Sequence, residues 1–174
     1  MRNLFIEKIY NLCDGKKAEE VFLTYIKSDG TQDDITYRSF GLKCELLMQK
    51  FQKSILHRKD RVLLLTPMSP FGCIAVTALA ISELVSVVLN PQLPEEELDS
   101  LVKKSDISGI VCDEEIYQKY AYKWTQKYPV FNIKTGDLFH DREYFSEPSK
   151  DSDDVLAILY SSPYEKYGQL EFLN

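Results

Sequence analysis

Histidine, paired cysteine and glycine-rich motifs are all scarce in this sequence, and each shortage excludes a class of chemistry. There are two histidines, His57 and His140. Neither has a neighbour at a spacing that would define a catalytic or metal-binding partner. The four cysteines, Cys13, Cys44, Cys73 and Cys112, never form the close pair that zinc or a redox dithiol uses. They are expected to be reduced and mostly buried. With seven glycines there is no GxSxG elbow, GxGxxG loop, Walker lysine motif or HExxH helix. No sustained Lys/Arg stripe could follow a phosphate backbone: 21 basic residues are scattered among 27 acidic ones for a net charge of −6, which argues against a nucleic-acid partner.

Long unbroken apolar runs are missing too. Phe71 to Leu89 comes near the ~20 residues a bilayer helix needs, but Ser82 and Glu83 interrupt it. Beyond them, helix formers give way to the β-branched run Val85-Ser86-Val87-Val88, which fits a buried helix followed by a buried strand and not a transmembrane segment. Glu7 and Lys8 break the amino-terminal apolar region, so a secretory signal is not expected and a cytoplasmic setting is the default.

What is present is the composition of a globular protein, 44% hydrophobic and 28% charged, in a chain of 174 residues that suits a single domain over 1–174. An amphipathic helix is expected from Asn3 to about Cys13, with Phe5, Ile9 and Leu12 on one side. Two strands, Val21 to Ile26 and Asp33 to Tyr37, are joined through Asp29-Gly30, a pair suited to a hairpin turn. Phe40, Cys44, Leu47, Phe51 and Ile55 mark one face of a helix from Tyr37 to about Leu56, with Thr36 as its cap. Strands at 62–65, 85–89, 109–112 and 130–133 then alternate with helices at 70–81, 94–104 and 114–127. Short connections in such an alternation imply a mainly parallel sheet with helices on its faces. Residues 134–154 read as an irregular loop, after which Val155 to Tyr160 returns as an apolar strand.

Two clusters invite a functional reading but have a structural one. Glu95, Glu96 and Glu97 sit in a first helical turn, where carboxylates complement the helix dipole. Tyr117, Tyr120 and Trp124 form a stripe at helical spacing near Tyr122 and Tyr128, expected to pack on the sheet, with a partner-binding face as the alternative.

The ordered series Thr36-Tyr37, Lys59-Asp60-Arg61-Val62, Pro67-Met68-Ser69-Pro70, Leu89-Asn90-Pro91 and Glu96-Glu97-Leu98 resembles the amino-terminal part of the adenylate-forming superfamily. That superfamily comprises acyl-CoA synthetases, nonribosomal-peptide adenylation domains and luciferases. The resemblance implies an α/β fold with an amino-terminal β-hairpin, and an ancestral chemistry of ATP-dependent carboxylate activation. ATP, magnesium and coenzyme A are the cofactors of that family. It also implies that Tyr160-Ser161-Ser162 opens a loop that cradles ATP phosphates, making Ser161 and Ser162 the candidate cofactor-binding residues.

Beyond Ser162 the likeness fails. Pro163 stands in place of the first loop glycine, Tyr164 and Glu165 in place of two threonines, Lys166 in place of the second glycine and Gln169 in place of the lysine, so 163–174 reads as a divergent tail. Proline removes an amide donor, and Glu165 puts a negative charge where phosphates would lie. The family's later adenine-, magnesium- and ribose-binding elements and its catalytic lysine have no counterpart in these residues. The chain alone is therefore expected to have no catalytic residue, no metal site and no bound cofactor. Alternative expectations are a protein-binding or self-associating module, using surface that the missing remainder would cover, and the amino-terminal piece of a split enzyme.

Overall fold

The computed structural model describes residues 4–66, 69–133, 155, 157–160 and 170–173. Helix α1 (Leu4–Asp14) leads to a hairpin of β1 (Val21–Ile26) and β2 (Gln32–Thr36), followed by α2 (Tyr37–Gln52). Then come β3 (Arg61–Leu65), α3 (Pro70–Ile81), β4 (Val85–Val88), α4 (Glu95–Lys104), β5 (Gly109–Cys112), α5 (Glu114–Trp124) and β6 (Val130–Asn132). Two further strands, β7 (Ala157–Tyr160) and β8 (Leu170–Leu173), complete a six-stranded sheet of order β6-β5-β3-β4-β7-β8. The first five in that order are mutually parallel, and β8 is antiparallel to β7.

The sequence explains the layering. Alternate residues of β3 point to opposite faces. Val62 and Leu64 join the core formed with Phe51 of α2 and Ile74, Ala78 and Leu79 of α3. Leu63 and Leu65 join the other core, with Leu98 and Val102 of α4 and Tyr120 and Trp124 of α5. The strand, apolar from Val62 to Leu65, is thus covered on both faces, as in other parallel sheets.

Local signals set the boundaries. Gly30 takes φ +83° in the hairpin turn, where the Asp29 carboxylate accepts bonds from the backbone N–H and hydroxyl of Thr31. Those bonds, the hydroxyl's above all, lower the Asp29 pKa. Thr36 caps α2 by accepting from the Ser39 N–H at 3.2 Å. That helix ends at Gln52, earlier than the apolar periodicity suggests, so Ile55 leaves the buried face and is 75% exposed. Ser54 takes over locally, its hydroxyl donating to the Phe51 carbonyl and accepting from the Leu56 N–H. Helix α5 likewise ends at Trp124, short of Lys127. Of the residues expected to cap or pack α1, Asn3 itself and the side chains of Phe5 and Ile9 lie outside what is described.

Helix α3 closes with a left-handed residue, Glu83 (φ 59°), flanked by Leu84 N–H to Leu79 C=O and Glu83 N–H to Ala80 C=O bonds. This is the paired-bond helix ending that glycine normally completes. Asp106 (φ 51°) occupies the equivalent position after α4 and is exposed. Asp106→Gly is therefore expected to raise stability by about 0.5 kcal/mol, because relief of the left-handed strain exceeds the extra freedom of the unfolded chain. Thermal unfolding followed by circular dichroism should show a midpoint about 1 to 2 °C higher.

Candidate functional site

In open α/β sheets, ligands bind beyond the carboxyl ends of the parallel strands. Here that edge is formed by the residues that follow β3, β4, β5, β6 and β7. Ser161 and Ser162 follow Tyr160 directly, and both lie outside the described residues, as do Pro163 to Gln169. Their attachment points are described. Strand β7 runs beside β4 in the register Ser86↔Ala157, Val87↔Ile158 and Val88↔Leu159. Strand β8 returns with Leu170 opposite Tyr160. Tyr160 and Leu170, which flank 161–169, therefore face each other at the carboxyl end of β7. Nothing in the sequence pattern marked β8, and its pairing means that the outer edge of β7 carries a strand.

Several described polar groups on this edge are engaged locally, while the buried Asn132 Oδ1 has no hydrogen-bond partner among the described residues. The Asn90 side-chain oxygen accepts from the Gln92 N–H at 2.9 Å, and the Asp113 carboxylate caps α5 by accepting from the Ile116 N–H at 2.9 Å. Asn132, at the end of β6, donates through Nδ2 to Glu114. The residues that directly follow β3, β4, β5 and β6 are Thr66, Leu89, Asp113 and Ile133. No group of three or more His, Cys, Asp or Glu among the described residues could hold a metal ion.

The remaining candidates have structural roles where they are described. His57 is exposed and lies 4.0 Å from Asp60, while His140 is outside the described residues. Glu95 joins Asp99 of its own helix in binding Lys123 of α5, at 3.0 Å from Glu95, so this helix pair is clamped by ion pairs. The Asp99 and Glu95 bonds hold the half-buried Lys123 ammonium well above its ordinary pKa. Tyr120 and Trp124 are buried and stack with ring centroids 4.7 Å apart, so that part of the aromatic stripe is core.

Cys13, Cys44 and Cys112 are buried and Cys73 is exposed. Burial pushes the Cys13 thiol up to about 11 and the Cys112 thiol up to about 12, and raises Cys44 as well. Since the thiolate is the reactive form, a disulfide reagent at pH 8 is expected to modify Cys73 rapidly and the other three only after denaturation. Fast release of more than one equivalent from the folded protein would contradict this.

Comparison with known proteins identifies the family and the fold. The model of the AMP-binding enzyme family matches residues 13–162. The chain belongs to the AMP-binding enzyme family. Its structure is similar to ATP-bound MatB from Rhodopseudomonas palustris, with a TM-score of 0.77, 19% identity, and coverage of 99% of this chain and 35% of that one. It is also similar to the fatty acid AMP ligase from Legionella pneumophila (TM-score 0.80, 16% identity, 96% and 29% coverage). A third similar structure is the Klebsiella oxytoca NpsA N-terminal subdomain in complex with 3-hydroxyanthranilyl-AMSN (TM-score 0.71, 19% identity, 96% and 38% coverage). At these identities the likeness establishes the fold, that of the amino-terminal subdomain of adenylate-forming enzymes. This family chain spans about a third of the length of the full enzymes it resembles. A sequence comparison with curated proteins finds no match.

Proposed function

We propose that this chain is a degenerate, acyl-CoA synthetase-like amino-terminal domain that does not adenylate a carboxylic acid by itself. The observation that carries the reading is the composition of the segment between β7 and β8: Pro163, Tyr164, Glu165, Lys166 and Gln169 replace the loop residues that make amide, hydroxyl and lysine contacts with phosphate in the resembled family. Ser161 and Ser162 are what remains of that loop. ATP, magnesium and coenzyme A belong to the ancestral reaction, in which a carboxylate is activated at the α-phosphate and passed to a thiol. The described residues do not fit the magnesium–nucleotide, so no step is assigned to them. A cytoplasmic location accords with this reading, and no described helix is long and apolar enough to cross a membrane.

Equilibrium dialysis with radiolabelled magnesium–ATP tests the proposal. No saturable binding is expected at nucleotide concentrations up to the millimolar range. A stoichiometric site of micromolar affinity would overturn it. A second reading is that this chain is the amino-terminal piece of a split adenylate-forming enzyme, another polypeptide supplying the rest. In that case, carboxylate-dependent pyrophosphate exchange would arise on mixing the two polypeptides.

A further inference from the structure

We draw no further inference here: the strongest candidate, the side-chain cluster in which Cys13 of α1 and Cys73 of α3 lie near the buried Cys44 of α2, rests only on the raised pKa of the Cys44 thiol, with all three thiols free and nothing among the described residues that shows a ligand or bond joining them.

Discussion

Trp124→Ala is expected to cost about 3 to 5 kcal/mol of folding stability, the usual loss for removing a large buried aromatic side chain. Trp124 is 3% exposed and stacks on Tyr120, itself 1% exposed, at an interplanar angle of 25°. Both belong to the core that α4 and α5 build against Leu63, Leu65, Ile110 and Ile158 of the sheet. The substitution removes the transfer energy of the indole and leaves a cavity that the strands cannot collapse to fill. In a chain of this size each kcal/mol corresponds to roughly 2 to 4 °C, so the melting midpoint should fall by about 10 °C or more. The result also decides between the two roles open to an aromatic stripe. A side chain reserved for a partner could be truncated with a change of about 0.5 kcal/mol or less.

Replacing Pro163-Tyr164-Glu165-Lys166 with Gly-Thr-Thr-Gly is expected to raise the affinity for magnesium–ATP at least ~10-fold, equivalent to about 1.4 kcal/mol. Three physical changes act together. A backbone amide is regained where proline has none, glycine allows close approach, and hydroxyls can donate to phosphate oxygens. Loss of the Glu165 charge is offset by loss of the neighbouring Lys166 charge, so the gain rests on these amide, glycine and hydroxyl contacts. The anchoring of 161–169 between Tyr160 and Leu170 means that the graft is held at both ends by paired strands. Calorimetric titration of the two proteins with magnesium–ATP measures the difference. Equal, undetectable binding by both would show that these four residues are not what limits nucleotide affinity.

The parallel sheet was legible because each of its elements has a strong local signature. Pro70 to Ile81 has proline in its first turn and an apolar run that stops at Ser82, and the helix occupies those residues. Arg61 to Leu65 is apolar where both faces are covered, and Thr36 caps as its side-chain chemistry suggests. Ile55 misleads because it continues a three-to-four spacing in sequence after the helix has already ended in a turn held by Ser54. Strand β8 escapes notice for a different reason. Four residues, LEFL, give too short an alternation to signal a strand, and its pairing depends on a non-local partner, β7. Of the candidate site, position was readable and chemistry only through the resemblance. The strand leading to Ser161 and Ser162 lies second from one edge of the sheet, a placement no local pattern contains.

Carboxylate-dependent ATP–pyrophosphate exchange by the purified 174-residue chain tests the central claim most directly. The assay does not depend on the identity of the thiol acceptor, and a panel of short, medium and long carboxylic acids covers the acids that this reaction activates. The expected result is exchange at the no-enzyme background with every acid. Exchange that rises with one of the acids, saturates with ATP and requires magnesium would contradict the claim and establish the chain as a working adenylating enzyme.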